Sequence, residues 1–311
     1  MKKWMTLLLV VGLGACSGLN KNTVSYHLNK YDAAKYYVVA GEGSTKEEAS
    51  QNALENLRRE IVQNAPAAAQ QGLVNDLVAN SEVEQVWRDK DAKTKHFYAL
   101  AVLRRENAHK ILAPQLDQAD AALAGLAAQF ATPAEPLADL RIAYRMQPVI
   151  TRRQALDEAY QYLSASRAGY KPEVFAPYKT ALKEKLAAVL VGLDVQGESS
   201  NVFVTYVVDA LNQMGLGVVD KNNPDKVLTV EIETDIDGYN SPKVKGLVWV
   251  SSSASVSLID TSRGATFSRF NVHERAGTTR AADSLRRSMQ GAGEQAAQQI
   301  AARLEAYLNT K

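Results

Sequence analysis

The start of the chain, MKKWMTLLLVVGLGACSG, contains its only cysteine and limits how the rest can fold. Lys2 and Lys3 precede an apolar run from Trp4 to Leu13, and small residues follow up to Cys16. This order is typical of a signal peptide, and the run is too short to cross a bilayer comfortably as a permanent helix. Because there is no second cysteine, no disulfide can form within the chain, and packing must stabilise the fold.

Leu13-Gly14-Ala15-Cys16 resembles the lipobox of bacterial lipoproteins, in which the signal is cut before the cysteine. The resemblance implies that the Cys16 sulfur carries a diacylglycerol and that its amino group carries a further acyl chain. A thiol is the nucleophile that lipid transfer requires, which explains a lone cysteine here. Ser17 stands where, by the family's sorting rule, an aspartate would retain the protein in the inner membrane. We therefore expect an outer-membrane lipoprotein that faces the periplasm, held by its acyl chains.

The composition excludes several other classes of protein. The 311 residues are 46% hydrophobic and 23% charged, which is typical of a globular chain with room for about two domains. The 36 basic and 34 acidic residues are spread along the chain, so no basic surface for nucleic acid is predicted. Loss of Lys2 and Lys3 with the signal would leave a net charge near zero. Lipid, and not electrostatic attraction, would then hold the chain at the membrane.

The stretch YYVVAGEGSTKEEASQNALENL, from Tyr36, predicts a strand, a turn and a helix. Gly41 and Gly43 are predicted to form the structural turn, and Ser44-Thr45-Lys46-Glu47 fits a capping box at the helix start. The helix would bury one apolar stripe, made of Ala49, Ala53, Leu57 and Ile61. A dinucleotide fingerprint would need a third glycine where Lys46 stands, and there is no Walker motif. Nucleotide binding is therefore not predicted.

The pattern along the chain predicts an α+β fold in five segments. They are a signal peptide (1–15), a lipidated tether (16–34), a β-α-β-β-α domain (35–131), a helical connector (132–187) and an α+β domain with a mainly antiparallel sheet (188–311). In the last segment, Val248, Val250, Ser252 and Ala254 alternate with Trp249, Ser251 and Ser253, as the two faces of a strand do. The closing helix would bury a stripe that includes Met289, Ile300 and Leu304.

No residue pattern predicts a catalytic, cofactor or metal site. His27, His96, His109 and His273 lack the spacing of metal ligands, and no Gly-x-Ser-x-Gly motif occurs. Glu231, Glu233, Asp235 and Asp237 alternate along one strand; a calcium site or a glycosidase pair is conceivable, but a solvated acidic face is the commoner cause. Trp87 and Trp249 are candidate partner contacts, with packing in a sheet as the alternative. The serine-rich strand VWVSSSASVSLI suits oligomerisation or strand addition, or an exposed polar sheet face.

Residues Tyr36 to Asn107, including VVAGEGSTKEEASQNALENLRREI and HFYALAVLRRENA, resemble the LPP-twenty-type lipoprotein domain, which also occurs in flagellar assembly protein T. The C-terminal YVVDALNQMGLGVVDKNN and KVLTVEIETDIDGY are similar to envelope domains of the TolB-amino-terminal and curli-secretion kind. These resemblances imply a structural glycine turn and a non-enzymatic accessory or assembly role through contacts with envelope proteins. An oligomeric secretion-channel component, with the chain as a homo-oligomer, and a regulator of a peptidoglycan-synthesis enzyme are the alternatives.

Overall fold

The computed structural model describes residues 23–70, 72–89, 96–130, 135–197, 200–239 and 242–309. The α+β prediction is confirmed, with one three-stranded and one five-stranded sheet. Contacts divide the chain into two units. The N-terminal unit comprises the chain up to Leu116 together with Gln154–Tyr170, and the C-terminal unit comprises Asp117–Arg153 and Lys171–Lys311. The division into five segments predicted from the sequence stays a prediction.

The helices and strands follow one another in a simple order. The helices are α1 (Val24–Leu28), α2 (Lys46–Asn64), α3 (Pro66–Gln70), α4 (Leu73–Ala79), α5 (Arg105–Ala127), α6 (Pro136–Ser164), α7 (Pro172–Ala187), α8 (Ser200–Gln213) and α9 (Ala281–Asn309). The strands are β1 (Tyr36–Gly43), β2 (Ser81–Asp89), β3 (His96–Arg104), β4 (Leu190–Gly197), β5 (Gly217–Asp220), β6 (Leu228–Asp237), β7 (Val248–Asp260) and β8 (Ala265–Thr278).

The N-terminal unit packs α2 against one face of an antiparallel sheet with strand order β1-β3-β2. The predicted α2 stripe is confirmed, because its four members are completely buried: Ala49, Ala53, Leu57 and Ile61. They pack with Ala99, Ala101 and Leu103 of the central strand β3. Burial of such a stripe supplies the main stabilisation of an amphipathic helix.

The prediction that Gly41 and Gly43 form the turn is wrong, because both lie inside β1. The turn is made by Ser44 and Thr45. The glycines are needed because α2 crosses this part of the strand very closely. A Cβ atom at Gly43 would lie 2.6 Å from the backbone N of Ala49, and one at Gly41 would overlap the backbone N of Ala53. The glycine pair therefore sets the approach of helix to strand.

The helix cap also lies one residue later than predicted. Thr45, and not Ser44, is the N-cap of α2, and its hydroxyl accepts a hydrogen bond from Glu48 N at 3.1 Å. The Glu48 carboxylate accepts from the backbone N of Ser44 at 2.8 Å, which completes the capping box in place of Glu47. The first turn of α2 is thus capped by its own side chains, as the sequence predicts.

Two asparagines of α2 cover the edge strand β1. Asn52 Nδ2 donates to the carbonyl of Glu42 at 2.7 Å, and Asn56 Nδ2 donates to the carbonyl of Ala40 at 2.9 Å. Carbonyls of an edge strand would otherwise be open to pairing with another chain. These two side chains therefore protect part of that edge.

A β-bulge in β2 changes which residues share a face of the N-terminal sheet. The register shifts between Val83 and Gln85, so that Val83 pairs with Ala101 whereas Trp87 pairs with Tyr98. Val83 and Trp87 therefore lie on opposite faces, although a regular strand would put them on the same one. Trp87 lies on the face away from α2.

Helices occur both in the predicted tether and in the predicted helical connector. The predicted tether contains α1, whose His27 is 8% exposed; the tether residues before Thr23 lie outside the described residues. The predicted connector contains α6, one continuous helix with Pro148 inside it. The apolar residues of α6 are buried on both sides of this proline, which favours continuation of the helix.

The C-terminal unit contains a mixed sheet with strand order β5-β4-β6-β7-β8. Strand β4 is parallel to β5 and β6, and the long pairs β6-β7 and β7-β8 are antiparallel. Helices α8 and α9 pack on one face through a large apolar core that includes Phe203, Val256, Met289 and Ile300. The predicted alternation along β7 is confirmed, since Val248, Val250, Ser252 and Ala254 are buried.

Candidate binding face of the C-terminal sheet

The face of the C-terminal sheet opposite α8 and α9 is polar, and we call it the polar face. Its residues alternate with buried ones along four strands because successive side chains of a strand point to opposite sides. On β6 they are Glu231, Glu233, Asp235 and Asp237; on β8 they are Arg269, Asn271, His273 and Arg275; all eight are exposed. The polar face also contains Asp194 and Gln196 of β4, and Trp249, Ser251, Ser253, Ser255 and Ser257 of β7.

The register of the strands places these side chains in rows across the sheet. The rows, from β6 to β7 to β8, are Glu231-Ser257-Arg269, Glu233-Ser255-Asn271, Asp235-Ser253-His273 and Asp237-Ser251-Arg275. Asp194 and Gln196 extend the first two rows onto β4. Every row thus runs from a carboxylate through a serine hydroxyl to a basic or amide side chain.

Hydrogen bonds hold several of these side chains in place. Ser255 Oγ donates to Asn271 Oδ1 at 2.9 Å, and Arg269 Nε donates to Ser257 Oγ at 3.2 Å. Lys221 Nζ lies 2.8 Å from the Asp194 carboxylate. This contact lowers the pKa of Asp194 and raises the pKa of Lys221. The Asp194 carboxylate is therefore neutralised locally, and the acidic character of the polar face comes mainly from β6.

The residues of the first two rows, apart from Asn271, line a shallow concavity of about 540 Å³. Its walls include Glu231 and Glu233 on one side and Arg269 on the other, with Ser255 and Ser257 between them. The groups that converge here are carboxylates, hydroxyls and a guanidinium. Such groups recognise a partner by charge and hydrogen bonding.

Trp249 lies at the end of the polar face, next to the row formed by Asp237, Ser251 and Arg275. Its indole ring lies over Gly277, where an added Cβ would be 2.7 Å from the ring, and the Arg275 guanidinium lies 4.9 Å from the ring centroid. A second concavity of about 430 Å³ lies beside Trp249 and is lined by Asp237, Ser251 and Arg275. Trp249 is half-buried, so one part of the ring packs on the sheet and another part is accessible.

Trp87, the other candidate partner contact, is engaged within the N-terminal unit. It stacks on His27 of α1 with ring centroids 3.9 Å apart and on Tyr98 of β3 with centroids 5.6 Å apart. The alternative interpretation, packing on a sheet, therefore describes what this side chain does in the structure.

The remaining predicted residues are dispersed. Leu13, Gly14, Ala15 and Cys16 lie outside the described residues. His96 begins β3, and His273 lies exposed in β8. His109 is in α5, and its Nδ1 is 2.9 Å from the Tyr160 hydroxyl. Within the described ranges, no three His, Cys, Asp or Glu side chains are grouped in a way that could hold a metal ion.

Arg105 in the N-terminal unit is engaged by hydrogen bonds to backbone carbonyls of that unit. Arg105 donates from Nε to the carbonyl of Ala33 at 2.8 Å and from Nη1 to the carbonyls of Tyr162 and Leu163 at 2.9 and 2.8 Å. Burial lowers the pKa of Arg105. This guanidinium therefore joins three backbone segments of the N-terminal unit.

The sequence analysis did not identify the polar side chains that alternate along β8. Arg269, Asn271, His273 and Arg275 alternate with Phe270 and Val272, a period of two that could have been found in the sequence. The sequence could not show that β8 lies next to β7 and two strands away from β6. That order of strands creates the rows.

Among the described residues, no helix is both long enough and apolar enough to cross a membrane. No protein-family model matches this sequence, and no curated protein matches it.

Comparison with solved structures finds bacterial lipoproteins and a secreted protein. A secreted protein from Helicobacter pylori is 12% identical, covers 86% of this chain and 97% of its own, and gives a TM-score of 0.40. A minor lipoprotein from Acinetobacter baumannii is 13% identical, covers 39% of this chain and 94% of its own, and gives a TM-score of 0.28. A lipoprotein from Neisseria meningitidis is 14% identical, covers 37% of this chain and 99% of its own, and gives a TM-score of 0.25. These values are too low to transfer a function.

Proposed function

We propose that this chain is a lipid-anchored protein of the outer membrane that faces the periplasm and acts as a non-enzymatic accessory or scaffold factor for an envelope complex. The lipobox at Cys16 supports the location. One structural observation carries the activity: the polar face presents ordered rows of acidic, hydroxyl and basic side chains on a rigid sheet. A surface of this kind binds another macromolecule by complementary charge and hydrogen bonds.

The chemistry of the polar face favours binding over catalysis. An enzyme needs a nucleophile, an acid or a base held together in a cleft that excludes water. Glu231, Glu233 and Arg269 are instead exposed, and the concavity between them is shallow. The side chains of the rows are supported by a buried core on the other side of the sheet, so binding would require little reorganisation.

A photocrosslinking experiment in cells tests the binding role. A photoreactive amino acid replaces Ser255 on the polar face or, as the matched control, Glu305, which is exposed on α9. We expect one dominant crosslinked product from position 255, none of that size from position 305, and loss of the product when Glu233→Arg is added. Equal labelling from both positions, or labelling that Glu233→Arg leaves unchanged, would contradict the proposal.

The anchor is tested separately by Cys16→Ala. Because lipid transfer needs the thiol, we expect this variant to remain an unprocessed precursor and to be absent from the outer-membrane fraction. Ser17→Ala is the matched control and should be lipidated and sorted as the unmodified chain is. Normal processing and outer-membrane sorting of Cys16→Ala would exclude lipid attachment at this position.

A further inference from the structure

Two columns of the polar face, one on each side of β7, carry opposite charge. The acidic column is Glu231, Glu233, Asp235 and Asp237 on β6, and the basic column is Arg269, Asn271, His273 and Arg275 on β8. The serine column on β7 separates them. Since neighbouring strands are about 4.8 Å apart, the two outer columns are about 10 Å apart and cannot neutralise each other directly. Each column therefore presents its charge outward.

This arrangement is complementary to itself. When a second copy is turned over about a two-fold axis parallel to β7, its β8 lies opposite β6 of the first copy, and its β7 lies opposite β7. The four facing pairs, each occurring twice, are then Glu231 with Arg269, Glu233 with Asn271, Asp235 with His273, and Asp237 with Arg275. A two-fold axis across the strands would place acidic column on acidic column, which charge repulsion disfavours.

We propose that the polar face packs against the same face of a second copy, as a symmetric dimer with its axis along β7. This proposal deepens the proposed function, because it names a second copy of the chain as a partner that binds the polar face. It rests on the proposed function for the anchoring of both copies in a membrane. Opposite columns attract, as an isologous interface requires. The serines are small enough for two sheets to approach closely, and each Trp249 ring, which lies over Gly277 of β8, adds apolar surface near the end of the contact.

The size of the face predicts a weak, salt-sensitive dimer. Strand spacing and rise give a footprint of about 20 Å by 25 Å, or roughly 500 Å² per copy. The total is close to the lower limit of about 1,000 Å² for a specific interface. Charge pairs at an exposed interface weaken as salt rises. We expect the dimer to dissociate when salt is raised from about 0.05 M to about 0.5 M. Anchoring in one membrane would favour it by raising the local concentration.

A charge exchange tests this geometry in the lipidated full chain, solubilised in mild detergent. One variant, Glu231→Arg with Asp237→Arg, places arginine opposite arginine in the first and last rows of the dimer. The other, Arg269→Glu with Arg275→Glu, places carboxylate opposite carboxylate in the same rows. We expect each variant alone to lose the dimer, with a dissociation constant raised at least about 100-fold, because like charges then face each other. Mixing the two variants should restore a dimer, measured by sedimentation velocity in density-matched detergent.

A folding control and a substitute variant separate loss of folding from loss of association. The circular dichroism spectrum of each charge variant must match that of the unmodified chain. If a charge variant does not fold, Ser253→Trp replaces it, since a bulky ring on β7 would hold the two sheets apart. A dimer in every variant, failure of the mixture to associate, or a wild-type chain that stays monomeric at low salt overturns the proposal. If the wild type is monomeric while position 255 still crosslinks to another envelope protein, the proposed function stands and only the dimer falls.

Discussion

The two sheets use strand alternation in different ways. In the N-terminal sheet both faces of β3 are apolar: Ala101 and Leu103 pack under α2, and Leu100 and Val102, which point the other way, are also buried. In the C-terminal sheet one face is buried under α8 and α9, and the other is the polar face. A sheet with two apolar faces must be covered on both, whereas a sheet with one polar face can leave that face open.

The two tryptophans illustrate this difference. Trp87 is stacked between His27 and Tyr98 in the N-terminal unit, whereas Trp249 lies at the end of the open polar face. The N-terminal sheet therefore depends on close contacts for its stability, and the C-terminal sheet leaves one polar face exposed. Four changes test this contrast, from the largest expected effect to the smallest.

The largest effect is expected for Gly41→Val. The new side chain would overlap the backbone of α2, which cannot move without disrupting the sheet, and the N-terminal unit should lose at least about 3 kcal/mol of unfolding free energy. Urea unfolding followed by Trp87 fluorescence, with Trp249 replaced by Phe, measures this unit. Glu42→Val is the matched control, since it adds the same side chain at the neighbouring, exposed position of β1. An unchanged Trp87 midpoint in Gly41→Val would refute the close-contact explanation.

The second comparison is between the two faces of β7. Val256→Ala removes completely buried atoms and should cost the C-terminal unit about 2 kcal/mol. Ser253→Ala, on the polar face, should change the unfolding free energy by less than about 0.5 kcal/mol. Trp249 fluorescence, with Trp87 replaced by Phe, is the measurement. Equal costs for the two substitutions would mean that the polar face contributes to the fold as much as the core does.

The third change removes the aromatic contact of α1. Trp87→Ala should cost the N-terminal unit about 1.5 kcal/mol, because it ends the stacking with His27 and Tyr98. Hydrogen exchange should show faster exchange of the α1 amides, with α2 unchanged. Trp249→Ala is the matched control and should affect only the C-terminal unit. If the α1 amides exchange as slowly in Trp87→Ala as in the unmodified chain, the stacking does not stabilise α1.

The smallest effect is a pH dependence at the end of β7. Burial opposes ionisation of Asp260, but hydrogen bonds from Ser262, Tyr307 and the Arg263 backbone outweigh it and lower the pKa of this carboxyl. The resulting stabilisation is present above the pKa of the unfolded chain, about 3.9, and is lost as pH falls through the lower folded value. Asp260→Asn should cost about 1 kcal/mol at neutral pH, with the difference from the unmodified chain shrinking in acid.

Urea unfolding between about pH 2 and pH 7, followed by Trp249 fluorescence, measures this difference. Asp225→Asn, an exposed change in the loop before β6, is the control. A cost of Asp260→Asn that stays constant across the pH range would show that ionisation of Asp260 does not stabilise the C-terminal unit.

Much of the fold was predictable because it depends on local periodicity. The stripe of α2, the alternation along β7 and the buried residues of α9 follow from patterns of about four and of two residues, and burial confirms each. The bulge in β2 was not predictable, since one extra residue reverses the faces and leaves no clear mark in the sequence. The position of Gly41 and Gly43 inside β1 was missed because glycine serves both turns and close packing.

For the candidate site, the sequence by itself determined the acidic alternation on β6 and the serines of β7, whereas the partial exposure of Trp249 came from the structure. The sequence also contains the lipobox-like motif Leu13-Gly14-Ala15-Cys16, which is recognisable because its residues are adjacent in the chain. Only the tertiary structure decided that β8 lies beside β7 and that Glu231, Ser257 and Arg269 form one row. Strand order and register arise from contacts between residues far apart in sequence, so no local pattern contains them.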